Sequence, residues 1–94
     1  MKAFEFFARC IVKQKIERCF ALLGDANMQV AAKMADLGVS LTYVQHEHCA
    51  VAASMAYARK TQKVGVSSVT CGPGLTQIMT ALPAAVRAKI PLVI

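Results

Sequence analysis

The chain has 94 residues, and its 11 Lys and Arg against 5 Asp and Glu give a formal net charge of +6. This length allows one small domain, and a hydrophobic fraction of 56% with 17% charged residues excludes a disordered chain. No apolar stretch is continuous enough for a membrane-spanning helix or a secretory signal peptide. We therefore expect a cytoplasmic protein with reduced cysteines and no membrane partner.

The basic residues are spread along the chain and form no dense block. Such a distribution favours a solvated basic surface over a nucleic-acid-binding one. We therefore expect no nucleic acid among the partners.

Hydrophobic periodicity predicts helices and strands that alternate from the start of the chain. Apolar residues at helical spacing predict a first helix over residues 3–15. The short apolar run 19–23 predicts a strand that is buried on both faces. A second helix follows, with Asp25 or Asn27 as its N-cap and Gly38 as its C-terminal stop.

The second half of the chain continues this alternation. β-Branched residues predict a strand over 39–44, and an Ala-rich segment predicts a helix over 46–62. A strand at 64–69 then leads through a Gly-Pro-Gly turn to one long helix at 75–88. A last strand occupies 91–94.

Strands that alternate with helices predict an α/β fold: an open, doubly wound, mainly parallel sheet with helices on both faces. Ligands bind such sheets at the carboxyl ends of the strands. Three strand-end segments, residues 24–27, 45–48 and 70–74, should therefore lie along one edge. Because a domain rarely finishes on a core strand, we expect the 94 residues to be a fragment.

The segment His46-Glu47-His48 admits three interpretations. Glu47 suits the first turn of a helix, where the helix dipole favours an acidic residue. His46 and His48, with Cys49, could bind a metal, but zinc requires three or four ligands and no second cluster supplies the rest. In the third interpretation, Glu47 is a partly buried carboxylate that hydrogen-bonds a ligand.

The other two strand-end segments are rich in turn residues. The glycines of segment 70–74 could serve a tight turn, or could let a ligand or an anion approach the backbone at a helix N-terminus. Neither GxGxxG nor GxxxxGK[ST] occurs, so both nucleotide fingerprints are absent. Segment 24–27 reads mainly as turn and cap chemistry.

Taken in order, five segments resemble the pyrimidine-binding domain of thiamine diphosphate enzymes, most closely the acetolactate synthase-like group. They are FALLGDANM at 20–28, QHEH at 45–48, YARKTQKVGV at 57–66, TCGPGLTQ at 70–77 and IPLV at 90–93. The similarity extends over nearly the whole chain. It implies that residues 1–94 are a partial N-terminal thiamine diphosphate-binding domain.

The resemblance also assigns roles to the strand-end residues. Glu47 falls on the cofactor-activating glutamate, whose carboxyl hydrogen-bonds a ring nitrogen of the aminopyrimidine and favours its imino tautomer. The Gly-Pro-Gly turn would shape the wall near the pyrimidine, which replaces the anion-site interpretation. The implied cofactor-binding residues are Glu47, Gly72, Pro73, Gly74, Gly24, Asp25, Ala26 and Asn27, with Glu47 catalytic and no metal ligand among them.

Cofactor and partners follow from the same resemblance. It implies thiamine diphosphate, with Mg²⁺ held through an acidic GDG-type motif in a domain that these residues do not contain. FAD is compatible with the family, but no residue here indicates it. The implied function is decarboxylation or carboligation of 2-oxo acids by a homodimer or higher oligomer, and we expect the 94 residues alone to be inactive.

The chain departs from the family pattern at several positions. Met55-Ala56 stands where many members have Asp-Gly, and Gln62 stands where they have Gly. These departures leave the substrate class open and do not affect Glu47. The high basic charge and the absence of glycines that many family members have support an alternative. In that alternative, the chain is a non-catalytic basic α/β binding module or a degenerate gene remnant.

Overall fold

A computed structural model describes all residues, 1–94. Five helices and four strands follow one another along the chain. The helices are α1 (Ala3–Lys13), α2 (Met28–Asp36), α3 (Glu47–Thr61), α4 (Pro73–Gln77) and α5 (Ala81–Arg87). The strands are β1 (Arg18–Ala21), β2 (Ser40–Tyr43), β3 (Gly65–Ser68) and β4 (Leu92–Val93).

The four strands form one sheet in the order β2-β1-β3-β4, and every neighbouring pair is parallel. Helices α1 and α2 pack together on one face of the sheet, and α3 covers β1 and β3 on the other face with α4 and α5 beside it. The predicted α/β architecture, with a parallel sheet between helices, is therefore confirmed.

A hydrophobic core lies on each face of the sheet. The larger one, between the sheet and helices α1 and α2, consists of Ala8, Cys19, Ala21, Ala31, Met34, Val39 and Val66. The smaller one, under α3, consists of Val51, Ile78 and Ala81. Apart from Met34, both cores consist of small and β-branched side chains, which allows the helices to approach the sheet closely.

Strand β1 differs from the prediction that it is buried on both faces. Cys19 and Ala21 are fully buried, whereas Arg18 and Phe20 on the opposite face keep partial exposure. Phe20 contacts the ring of Tyr57 there, with centroids 6.0 Å apart in an edge-to-face arrangement. Helix α3 covers this face without excluding water from it completely, so the strand is fully buried on one side only.

Helix α3 lies against β3 without large side chains between them. Gly65 is buried, and a Cβ at this position would overlap the carbonyl oxygen of Ser54. Beside it, the buried hydroxyls of Ser54 and Ser67 contact each other and the backbone carbonyl of Ala50. This close contact fixes the position of α3, whose first residue is Glu47.

The single helix predicted over 75–88 is wrong, since the structure has two shorter helices there. Pro83 lacks the N–H that would bond the carbonyl of Met79, and its ring crowds that carbonyl. Between the two helices, the backbone makes hydrogen bonds to the carbonyl three residues earlier, as in a 3₁₀ turn. Ile78 N donates to the Leu75 carbonyl (3.3 Å), and Met79 N donates to the Thr76 carbonyl (3.2 Å). Pro83 then lies in the first turn of α5, where no donor is needed.

The apolar face of α1 is only partly covered. Ala8 is completely buried, but Phe7 remains 56% exposed. Phe7 and Ile11 of this helix, with Val30, Val93 and Ile94, line a groove of about 400 Å³ over the sheet. No helix of the structure combines the length and the apolar character needed to cross a membrane.

Candidate functional site at the carboxyl edge of the sheet

The ends of β1 and β3 are in direct contact. Leu22 N donates to the Ser68 carbonyl (3.1 Å), and Ala26 N donates to Thr70 Oγ1 (3.4 Å). A Cβ at Gly24 would lie 2.7 Å from the Cβ of Thr70, closer than real side chains allow. Gly24 is therefore required by the close approach of these two strand ends.

Asn27 joins the same two strand ends through its side chain. Its Oδ1 accepts from Gly24 N (2.8 Å), and its Nδ2 donates to the Leu22 carbonyl (3.2 Å) and to Ser68 Oγ (2.9 Å). The residue is only 8% exposed. Asn27 is the N-cap residue of α2 by position, but its side chain does not cap the helix, and Asp25 does not occupy the cap either. The predicted N-cap position at Asn27 is confirmed, but the expected side-chain cap bond is absent because the buried amide bonds the strand ends instead.

Glu47 begins α3 and is half-buried at the same edge. The N-cap is His46, whose Nδ1 accepts from His48 N (3.0 Å). The helix dipole favours a carboxylate in this first turn. The single ion pair of the chain joins Lys63 and Glu17, and no hydrogen bond within the chain engages the Glu47 carboxyl. This carboxyl is therefore free to bond an external group.

The Gly-Pro-Gly turn lies opposite Glu47. Gly72 has a φ of +67°, which favours glycine, and Pro73 opens α4 at a position where its missing donor is tolerated. Gly74 is buried, and a Cβ there would lie 3.0 Å from Thr70 Cγ2 and 3.8 Å from Glu47 Oε1. The missing side chain at Gly74 therefore lets α4 approach Thr70 closely and places no side chain between this turn and the Glu47 carboxyl.

The structure brings the three predicted strand-end segments together at one edge, as the parallel topology requires. Thr70 is the shared contact, since it touches the Gly24 turn and also Gly74. Thr70 is not among the site residues predicted from the sequence. In the sequence, only its position between a strand and a glycine-containing turn could have indicated a role at the site. The side chains of Asp25, Ala26 and Pro73 are exposed at the rim of the site.

The His-Glu-His segment does not assemble a metal centre. The rings of His46 and His48 have centroids 6.4 Å apart, and His46 Nδ1 is already used by a backbone donor. No three side chains of His, Cys, Asp or Glu lie close enough together to hold a metal ion. None of the three strand-end segments contains Lys or Arg, so the site carries only the negative charges of Asp25 and Glu47.

A known protein family matches the chain over its whole sequence. The family described as "Thiamine pyrophosphate enzyme, N-terminal TPP binding domain" matches residues 1–94. The chain belongs to this family. The resemblance of the five segments to this thiamine pyrophosphate enzyme domain is thus confirmed over residues 1–94.

Relatives of this thiamine pyrophosphate enzyme domain include two kinds of enzyme. It is 36% identical over 90 residues to 2-hydroxyacyl-CoA lyase 2 of Caenorhabditis elegans. The aligned region covers 96% of this chain and 14% of that protein. It is 34% identical over 93 residues to the acetolactate synthase isozyme 2 large subunit of Escherichia coli (strain K12), covering 99% of this chain and 17% of that subunit. The chain therefore spans between about one seventh and one sixth of the length of these relatives.

Proposed function

We propose that this chain holds the aminopyrimidine end of thiamine diphosphate, with the Glu47 carboxyl as the group that bonds a ring nitrogen. The observation that carries this proposal is the Glu47 carboxyl itself. It is half-buried, has no partner within the chain and lies next to Gly74, where a Cβ would come within 3.8 Å of its Oε1. A carboxyl in this setting can share a proton with a weakly basic nitrogen.

The residues at this edge fit one end of the cofactor and not the other. An uncharged heteroaromatic ring suits this edge, which offers a hydrogen-bonding carboxyl, a turn with two glycines and no Lys or Arg. A diphosphate group requires cations or a bound metal, and the strand-end segments supply neither. The diphosphate and Mg²⁺ would therefore be held by a domain outside these residues, in keeping with a partial N-terminal domain over 1–94.

Each residue of the edge would have a separate task. When bound, thiamine diphosphate supplies the carbon nucleophile for making or breaking the bond next to a 2-oxo group. Glu47 would hold a proton between its carboxyl and the ring nitrogen, and the turn Gly72-Pro73-Gly74 would form the wall beside that ring. Thr70 and Asn27 would position these groups by holding the strand ends together. Gly24, Asp25 and Ala26 would border the cofactor from the β1 side.

For the whole protein, we propose decarboxylation or carboligation of 2-oxo acids by a cytoplasmic homodimer or higher oligomer. Two acetolactate synthase large subunits, from Escherichia coli and from Buchnera aphidicola, share 34% of their aligned residues with this chain, and this supports the assignment. The 94 residues alone would have no turnover, because they lack groups for the diphosphate. Turnover by the purified 94-residue chain without any partner polypeptide would contradict that statement.

A substitution at Glu47 tests the proposed role. In the protein together with its remaining domains, Glu47→Gln should slow exchange of the cofactor's acidic thiazolium proton by roughly 10²–10⁴. Glu5→Gln is the matched control, because Glu5 is an acidic residue in the first turn of α1. Equal exchange rates in Glu47→Gln and the unaltered protein would remove Glu47 from this role.

The reading frame downstream of Ile94 tests the assignment of the whole protein. A continuation with an acidic Gly-Asp-Gly motif and a later Asn would supply the missing Mg²⁺ and diphosphate ligands. A frame without such a motif would contradict an enzyme that acts as one polypeptide.

A further inference from the structure

The basic residues of this chain are concentrated at the amino edge of the sheet, opposite Glu47. In a parallel α/β fold, the ends of the helices and the starts of the strands meet at that edge. Nine of the eleven Lys and Arg lie in the last helical turns, in the connections to the next strand or, for Arg18, at the first position of a strand, against two acidic residues, Glu17 and Asp36. The nine are Lys13, Lys15, Arg18, Lys33, Arg59, Lys60, Lys63, Arg87 and Lys89.

A cleft lies within this basic edge, between the end of α3 and the connection from α5 to β4. We refer to it as the α3–α5 cleft, and its volume is about 420 Å³. It is lined by Ala58, Arg59, Gln62, Ala88, Lys89, Ile90 and Pro91. This volume is within the range of small-molecule sites, about 300–1,000 Å³. The length of α3, 15 residues or about 22 Å, separates the cleft from Glu47.

Basic residues at helix ends often serve only to satisfy the last carbonyl groups. Here the backbone and one amide do this instead. Gln62 N donates to the Ala58 carbonyl (2.9 Å), Gln62 Nε2 donates to the Arg59 carbonyl (2.9 Å), and Lys89 N donates to the Val86 carbonyl (3.1 Å). No hydrogen bond or ion pair within the chain engages the side chains of Arg59 and Lys89. Both cations of the cleft are therefore available to a ligand.

The lining of the cleft indicates what kind of ligand it fits. Two unpaired cations match the charge of a phosphate monoester, which is about −1.5 to −2 near pH 7. Arginine binds phosphate through two parallel donors, and lysine adds a point charge. Apart from Gln62, the rest of the lining, Ala58, Ala88, Ile90 and Pro91, is apolar and suits a carbon body next to that phosphate.

We propose that the α3–α5 cleft binds a small organic phosphate monoester, with Arg59 and Lys89 on the phosphate and the apolar residues against its organic part. The other basic residues of the edge attract the anion but do not contact it. The site is independent of the proposed role of Glu47.

Adenosine 5′-monophosphate is a suitable probe because it combines a phosphate monoester with a compact organic body. We would titrate it into the ¹⁵N-labelled chain at low ionic strength and follow the backbone amides by NMR. The expected shifts are at residues 58–63 and 87–90. Adenosine and inorganic phosphate, each lacking one half of the probe, should bind at least tenfold more weakly.

Variants that each remove one positive charge distinguish binding in the cleft from attraction by the basic edge as a whole. Arg59→Gln and Lys89→Gln should each weaken binding at least fivefold. Lys33→Gln removes the same charge at the end of α2, outside the cleft, and should change binding less than twofold. Equal weakening by Lys33→Gln and Arg59→Gln would overturn the proposal in favour of a diffuse basic surface.

Two further results would also overturn it. One is the absence of amide shifts in the cleft at millimolar nucleotide. The other is binding of a short single-stranded RNA without adenosine 5′-monophosphate shifts, since this would indicate a polyanion surface. The far-UV circular dichroism of each variant should match that of the unaltered chain, since Arg59, Lys89 and Lys33 are not among the buried residues.

Discussion

The hydroxyl oxygens of Ser54 and Ser67 lie 2.6 Å apart in the buried layer between α3 and β3. Ser54 Oγ also lies 2.9 Å from the Ala50 carbonyl and 3.0 Å from the Val66 carbonyl, and Ser67 Oγ lies 3.1 Å from Ala50. Each hydroxyl has only one proton to donate. Which carbonyl one serine bonds therefore depends on where the other serine directs its proton. This pair holds α3, and with it Glu47, against the sheet.

The two serines should therefore behave as one unit in stability measurements. Ser54→Ala or Ser67→Ala should each lower the free energy of unfolding by about 1–3 kcal/mol, because a buried polar partner is left unsatisfied. The double variant should lose less than the sum, by at least about 0.5 kcal/mol. Urea denaturation measures all three, with exposed Ser40→Ala as a control within about 0.5 kcal/mol of the unaltered chain. Additive losses would contradict the coupling.

Gly65 and Gly38 should respond differently to alanine. Gly65→Ala places a Cβ against the Ser54 carbonyl and the Leu92 side chain, so α3 must move and the expected loss is about 3 kcal/mol. Gly38→Ala meets no atom within 4 Å, and only its φ of +97° is unfavourable, so about 1–2 kcal/mol is expected. Urea midpoints compare the two, and an equal or smaller loss at Gly65 would contradict the packing of α3 on β3.

Cys19 should be protected from thiol reagents, unlike the other three cysteines. It has no exposed surface, and burial raises its pKa to about 11, while Cys10, Cys49 and Cys71 are exposed. Under native conditions at pH 8, a maleimide reagent should therefore modify three thiols quickly and the fourth only after denaturant is added. Mass spectrometry identifies the sites, and rapid labelling of Cys19 would contradict its burial.

The same thiol should make stability depend on pH in the alkaline range. An unfolded cysteine titrates near pH 9.0 and the folded one near 11, so the folded state holds the proton more tightly. This difference in pKa contributes up to about 3 kcal/mol to the free energy of unfolding. The contribution is complete below pH 9 and is lost as the pH rises towards 11. Cys19→Ala lacks this contribution, so the difference between the two chains should shrink over that interval. A constant difference would contradict the expectation.

Gln62 occupies a backbone conformation that favours glycine. Its φ is +59° at the end of α3. Gln62→Gly should remove the strain and raise the free energy of unfolding by about 0.5–1 kcal/mol, even though the bond to the Arg59 carbonyl is lost. Gln62→Ala keeps the strain and loses that bond, so it should lower the free energy by about 0.5–1 kcal/mol. Thermal and urea unfolding check both signs, and a Gly variant less stable than the unaltered chain would contradict this account.

Local sequence patterns predicted most of the elements because their causes are local. Helical spacing of apolar residues placed the first helix, β-branched runs placed the second and third strands, and the first residue of α3 was expected within one position. The division of the last predicted helix could also have been read from the sequence, since Pro83 interrupts the backbone ladder there. The meeting of the three strand-end segments followed from one topological rule, that parallel strands end at the same edge.

The contacts that shape the site depend on residues far apart in the chain. Thr70 bonds the turn of Ala26, 44 residues earlier, and Asn27 bonds Ser68, 41 residues later. A sequence shows which donors and acceptors exist, but a short polar side chain has many local partners open to it. Asn27 was expected to cap its own helix for that reason. The folded sheet decides otherwise, because burial favours the arrangement that satisfies the most polar atoms.

The sequence by itself determined the parallel α/β fold, the edge where its three strand-end segments lie and the place of Glu47 on that edge. The tertiary structure alone decided that the Glu47 carboxyl has no partner and faces Gly74, and that nine basic residues gather at the opposite edge. Periodicity and turn chemistry act over a few residues, so they can be read along the chain. Which polar groups remain free depends on the distances between elements, and those exist only after the helices have packed on the sheet.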